Sequence, residues 1–300
     1  MTTSAPAPTV LISTGGTIAC TQDASGALVP TLTAADLAAY LPQADIRAID
    51  YRRLDSSAIT FADIDGLIAL VAQEAAAGPA RIIITHGTDS LEETALALAL
   101  FHTGEVPVIL TGAQRSADAA APDGPGNLAD CLDITTPGVW IRFGGRTVPA
   151  WGARKLHTSA LDAFAAADTP APTAVVPLPV AALASTKVAV ISAYPGATRE
   201  LVDAACAAGY QGLVIEALGS GNMGPDMGAG VAAALEQGVR VIITTRVPEG
   251  EVSLVYGGQG GGATLADAGA LGSGTLRAGQ CRVLLAAALA TGTDPAALLG

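Results

Sequence analysis

Short apolar runs rich in β-branched residues recur along this chain, each followed closely by a helical pattern, and no other feature restricts its fold as much. In the first half they are Thr9 to Thr14, Ile46 to Tyr51, Arg81 to Thr85 and Val106 to Leu110; in the second, Lys187 to Ser192, Gly212 to Ala217 and Val239 to Thr244. Such runs are too brief for helices and read as strands, and Arg81 to Thr85 in particular reads as a short buried one. Helical periodicity fills the gaps, at about Ala34 to Tyr40, Phe61 to Ala77, Leu91 to Phe101 and Asn127 to Ile134, then Arg199 to Ala208, Met227 to Gln237 and Gln280 to Thr291. Repeated β-α alternation predicts an α/β fold with parallel sheets. Gly138 to Ala150 reads instead as two short strands around the Gly144-Gly145 turn, and Cys20 to Pro30 as a mobile loop.

The alternation is interrupted once. Thr169 to Ser185 holds Pro170, Pro172, Pro177 and Pro179 and no charged residue, the composition of a connector. The expected organisation is therefore two parallel-sheet α/β domains: a larger N-terminal one over 1–168, the connector 169–186, and a smaller C-terminal one over 187–300.

A net charge of −12 argues against nucleic acid or an anionic membrane surface as partner. Residues 1–9 carry no basic and apolar leader pattern, and no apolar run approaches the ~20 residues of a spanning helix, so a cytoplasmic protein is expected. The four cysteines, Cys20, Cys131, Cys206 and Cys281, lack metal-site spacing and are read as reduced, with Cys206 a small helical core residue. Lys155 and Lys187 are the only lysines among fifteen basic residues.

Chemistry-bearing side chains collect where predicted strands end, the place where α/β proteins hold ligands. Thr17 follows the paired glycines Gly15-Gly16; Asp55-Ser56-Ser57 follows the second strand; His86-Gly87-Thr88-Asp89 follows the third, with Ser90 and Glu93 spaced as a capping box for the next helix. A threonine hydroxyl is a nucleophile only when a neighbouring base takes its proton, and a lysine of lowered pKa can be that base. Asp89 and Lys155 beside a hydroxyl would thus make a proton relay without histidine; the alternative is that each hydroxyl simply caps a turn. His86 is expected to be buried and hydrogen-bonded beside its turn. Gly219-Ser220-Gly221-Asn222-Met223-Gly224 matches the dinucleotide fingerprint literally, but the next strand ends in Thr244-Thr245-Arg246 with no acid to hold a ribose, leaving only Arg246 to meet a 2′-phosphate.

These segments resemble the bacterial-type L-asparaginase family. T-G-G-T-I-A (Thr14 to Ala19) and H-G-T-D-S-L-E-E-T-A (His86 to Ala95) are similar to its two signatures. The likeness extends through Asp55-Ser56-Ser57, Val108 to Ser116, Asn127-Leu128, Lys155, Gly221-Asn222, Arg246-Val247-Pro248 and Ser273 to Leu276. The resemblance implies hydrolysis of asparagine to aspartate and ammonia, with no cofactor and no metal. It implies Thr17 as the nucleophile, Thr88, Asp89 and Lys155 as second hydroxyl and relay, Asp89 and Ser56 as anchors for the substrate's α-ammonium and α-carboxylate, and Ser57 beside them. Asn222 would come from a neighbouring subunit, making G-S-G-N-M-G a catalytic loop, within a homotetramer built from dimers.

The chain departs from the family at two places. Leu28 stands where many relatives carry a lid tyrosine, and the C-terminal glutamate of some members has no counterpart near Gly262. These departures bear on the preference between asparagine and glutamine, so a glutaminase-asparaginase or related amidase, and a non-catalytic amino-acid-binding homologue, stand as alternatives.

Overall fold

The computed structural model describes residues 7–167 and 177–299. Its contacts divide the chain into two compact units, Met1–Ala166 and Ala167–Gly300. Residues 169–176 of the proline-rich connector lie outside the described residues. Just beyond, Leu183–Ser185 forms a single 3₁₀ turn.

The first unit is organised around a six-stranded sheet. Its strands, β1 (Thr9–Gly15), β4 (Ile46–Leu54), β5 (Arg81–Thr85), β6 (Val108–Thr111), β7 (Val139–Phe143) and β8 (Arg146–Pro149), lie in the order β4-β1-β5-β6-β7-β8. All neighbours are parallel except the β7–β8 hairpin. Ile82, Ile83 and Ile84 of β5 are fully buried, which is why this β-branched run is a central strand. From β1 the chain first adds β4 on one side and then crosses to add β5 on the other. That reversal opens a crevice beyond the carboxyl ends of β1 and β5, the point where doubly wound sheets bind ligands.

Helices α1 (Ala34–Ala38), α2 (Phe61–Ala76), α3 (Leu91–Phe101) and α4 (Gly124–Cys131) connect these strands. Thr33 with Asp36 and Thr60 with Asp63 form capping boxes at α1 and α2. The expected box at α3 does not form. Ser90 occupies the cap position, but its hydroxyl donates to Ser56 O at 2.7 Å instead of capping the helix. The segment expected to be a mobile loop is likewise built differently, as the antiparallel hairpin β2 (Cys20–Gln22) and β3 (Leu28–Pro30). Asp23 nucleates its turn by accepting the Ser25 and Ala27 N–H groups at 2.8 and 3.0 Å. A second small pair, β9 (Arg154–Lys155) and β10 (Phe164–Ala165), stands apart from the main sheet, with Phe164 against Phe143 at 5.1 Å between ring centroids.

The second unit is a parallel four-stranded sheet in the order β11 (Val188–Ser192), β12 (Gly212–Ala217), β13 (Arg240–Thr245), β14 (Leu271–Gly272). Helices α5 (Glu200–Ala207), α6 (Pro225–Glu236), α7 (Gly262–Asp267), α8 (Ala278–Thr291) and α9 (Pro295–Leu299) accompany it. Alanine lets α8 approach closely: Val283 to Ala288 are all buried. Cys206 is half-buried against the core formed with α6, and all four cysteines are free thiols. The fold class is therefore the one expected, two parallel-sheet α/β domains with the larger first. Among the described residues no helix is long and apolar enough to cross a membrane.

Candidate active site

Glycine lets the strand-end loops of the first unit interlock. Gly16 has φ +78°, and a Cβ there would lie 2.4 Å from Gly87 N. A Cβ on Gly87 would lie 2.5 Å from Ser56 Oγ, and one on Gly112 2.4 Å from His86 O. Backbone therefore packs on backbone across the ends of β1, β5 and β6, and on the Ser56 side chain just after β4. Thr14 Oγ1 donates to Thr85 O at 2.9 Å, tying β1 to β5 at the same level. His86 braces the turn from below. It is fully buried, its Nδ1 lies 2.8 Å from Gly87 O and its Nε2 3.0 Å from Thr94 Oγ1. The carbonyl can only accept, so the proton sits on Nδ1 and Nε2 accepts from Thr94. Burial lowers its pKa to about 4, leaving a neutral strut as expected from the sequence.

Above this floor lies a polar cavity of about 350 Å³ whose lining includes Thr17, Ser56, Thr88, Asp89, Gln114 and Lys155, with Leu28 of β3 on its rim. Thr17 opens a 3₁₀ turn immediately after Gly16 and is half-buried. Lys155 Nζ donates to Thr88 Oγ1 at 2.7 Å and to Asp89 Oδ1 at 2.8 Å. The lysine side chain is 18% exposed and that of Asp89 62%, so an enclosed ammonium is paired with a carboxylate that reaches the solvent side. Ser56 is buried, and its Oγ accepts the Asp89 N–H at 3.2 Å. That leaves its own O–H proton free to donate into the cavity. Ser57 does not line the cavity; it is exposed, and its N–H donates to Asp55 Oδ1 at 3.2 Å.

Two groups that sequence reasoning passed over support the arrangement. Glu92, in the first turn of α3, accepts the backbone N–H of Lys155. Burial pushes its carboxyl up to about 7, against the opposing effect of that hydrogen bond. Gln114 donates its side-chain N–H to Ala160 O at 3.0 Å, which ties the loop after β6 to the loop after β9. Nothing in sequence spacing links either pair. Cys20 also faces the cavity, but its thiol donates to Gly16 O at 3.3 Å and burial raises its pKa, with Asp55 adding to the shift. It is a poor nucleophile.

Asn222 belongs to the second unit, in the turn between β12 and α6. Gly221 N and Asn222 N both donate to Leu218 O, at 3.1 and 2.9 Å, and Met223 N donates to Gly260 O at 3.0 Å. A Cβ at Gly221, where φ is +102°, would lie 2.5 Å from Leu254. Three successive N–H groups, those of Gly221, Asn222 and Met223, are thus already engaged by backbone carbonyls, which argues against G-S-G-N-M-G as a phosphate cradle. Among the described residues no group of three or more His, Cys, Asp and Glu is placed to hold a metal ion.

Comparison with known proteins gives the class first. Residues 9–183 match the model for the asparaginase N-terminal domain, and residues 187–299 match that for the glutaminase/asparaginase C-terminal domain. The chain is an amidohydrolase of the asparaginase type. A probable L-asparaginase of Deinococcus radiodurans is 35% identical over 315 residues, covering 95% of this chain and 93% of that protein. A Bacillus licheniformis L-asparaginase is 30% identical, with 94% and 95% covered. A glutamyl-tRNA(Gln) amidotransferase component of Methanococcus maripaludis is 30% identical, over 81% of this chain and 67% of that protein. The crystal structure of a probable cytoplasmic L-asparaginase from Campylobacter jejuni superposes with a TM-score of 0.84 at 26% identity, covering 98% of both chains. The chain belongs to the asparaginase/glutaminase family.

Proposed function

We propose that the chain hydrolyses the side-chain amide of L-asparagine to L-aspartate and ammonia through an acyl-enzyme on Thr17. The observation that carries this reading is Lys155 Nζ held at 2.7 Å from Thr88 Oγ1 and 2.8 Å from Asp89 Oδ1, on the cavity that Thr17 also lines. Thr17 Oγ1 attacks the carboxamide carbon, and its proton passes through Thr88, Asp89 and Lys155 to the leaving nitrogen, which departs as ammonia. Water then attacks the ester by the same relay, releasing aspartate and restoring the Thr17 hydroxyl. Ser56 donates to the substrate α-carboxylate and Asp89 accepts from its α-ammonium. Ser57 is assigned a place at the edge of the site beside Ser56.

The site is completed by Asn222 of a partner subunit, in a homotetramer of paired subunits working in the cytoplasm. What supports this is the separation of roles: Thr17, Ser56, Thr88, Asp89 and Lys155 all lie in the first unit, and Asn222 in the second. The amidotransferase relatives favour, as a second reading, action on a related amide such as that of glutamine. Ammonia release from a panel of L-asparagine, L-glutamine and their D-isomers tests the proposal. Preference for L-asparagine supports the first reading and preference for L-glutamine the second; no release from any of the four would leave a non-catalytic binding protein.

A further inference from the structure

The strand that carries Lys155 is poorly secured by its own sheet. β9 has two residues and, among the described residues, pairs only with β10, through Lys155 opposite Phe164 and Arg154 opposite Ala165. On the β10 side the next N–H, that of Leu156, donates to Ala163 O at 2.7 Å. Strand alternation turns the Lys155 N–H to the opposite edge, where β9 has no strand neighbour among the described residues. Glu92 meets it there. Glu92 stands on α3 three residues after Asp89, so one rigid segment supplies both the acceptors of Nζ and the acceptor of the backbone N–H.

We propose that Glu92 is a positioning residue, whose half-buried carboxyl group fixes the Lys155 backbone and thereby holds Nζ between Thr88 and Asp89. A lysine stem has four rotatable bonds and much rotamer freedom, so an anchored backbone restricts where its ammonium can go. A misplacement of about 1 Å at a relay atom costs up to ~10²-fold in rate. The anchor does not depend on charge, because a protonated carboxyl group still offers its carbonyl oxygen to the N–H. The groups around Glu92 oppose one another: Arg154 and Lys155 favour its ionised form, Glu93 its neutral form.

The inference rests on Lys155 acting in the relay, and its test separates the two. Steady-state kinetics with L-asparagine are measured for Glu92→Gln, Glu92→Leu and the unbranched Glu92→Met, each alone and combined with Lys155→Met, with thermal melting as the check on folding. Glu92→Gln keeps an acceptor oxygen and is expected within about threefold of the unmutated kcat. The apolar variants fill the volume but cannot accept, and are expected to lose on the order of 10- to 100-fold in kcat with KM changed less than about twofold. In the Lys155→Met background that loss should vanish, since Glu92 acts only through Lys155. Apolar variants equal to Glu92→Gln, a loss expressed in KM, or an undiminished loss in the Lys155→Met background would overturn the positioning role. An unchanged kcat for Lys155→Met alone would instead overturn the relay, and the role of Glu92 with it.

Discussion

At Lys155 an ammonium that is mostly enclosed has to be neutralised by a carboxylate that is mostly exposed, and a hydroxyl shares its protons. Lys155→Met keeps the bulk and removes the amine, and should lower kcat by about 10²-fold or more. Lys187→Met is the control, because Lys187 is exposed and its Nζ donates to Ala208 O at 3.3 Å; its turnover should stay within about twofold, as surface substitutions usually do. Two neighbours shape the acid response of stability. Glu92, raised from 4.5 to about 7, is neutral in the fold and ionised in the unfolded chain between those values, so it destabilises as pH rises through that window. His86, lowered from 6.5 to about 4, makes the opposite contribution, with stability full above 6.5 and lost as pH falls toward 4. Each is on the order of 3 kcal/mol across its window, so from pH 4.5 to 6.5 they offset one another. Glu92→Gln removes one side, and chemical denaturation should show it losing stability on acidification from pH 6.5 to 4.5 more steeply than the unmutated chain. That Thr17, Thr88, Asp89 and Lys155 gather on one cavity was legible because each sits in a polar strand end or is one of two lysines. The contact of Glu92 was not, because it is made with a peptide N–H 63 residues away, a bond that leaves no spacing signal.

Strand order converts these residues into a site. β1 and β5 are neighbours at the point where the sheet reverses direction, which brings the turn after Thr14 beside the turn after Thr85. The buried runs announced the strands, and β5, α3 and β12 fall where periodicity puts them, since full burial and a 3.6-residue repeat both mark the sequence. The β2–β3 hairpin escaped because its strands are three residues each, half-exposed and held largely by the Asp23 turn. Ser90 escaped as well: its capping signature is present, but the hydroxyl is diverted to Ser56 O, joining the β5 loop to the β4 loop. That junction makes a sharp prediction. In Gly87→Ala the added methyl meets Ser56 Oγ, displacing the proposed carboxylate anchor, and KM should rise by about tenfold or more, the equivalent of a charged hydrogen bond, with a smaller change in kcat. An unchanged KM would separate Ser56 from substrate binding.

For the whole molecule the question is whether Asn222 of the second unit serves the candidate site in the first. Thr17→Ala and Asn222→Ala assemblies should each be impaired. Co-folded and verified by differential tags, they should form mixed pairs with one doubly altered site and one intact site, recovering activity toward half that of the unmutated assembly. Activity no higher than the mean of the two parents would return Asn222 to its own chain or to no role. The two-domain layout was legible from repeated β-α alternation broken by a charge-free, proline-rich stretch. The proposed pairing of subunits has no such signal, because an isologous contact leaves no periodicity in a single chain; only the family resemblance implies it. The proposed chemistry turns on the Thr17 hydroxyl, and the most direct measurement is to quench the enzyme with acid during turnover of L-asparagine and locate the acyl group by peptide mass spectrometry. An aspartyl ester on Thr17, absent from Thr17→Ala along with nearly all ammonia release, is the predicted result; an ester on Thr88, or Thr17→Ala retaining a substantial fraction of kcat, would contradict it.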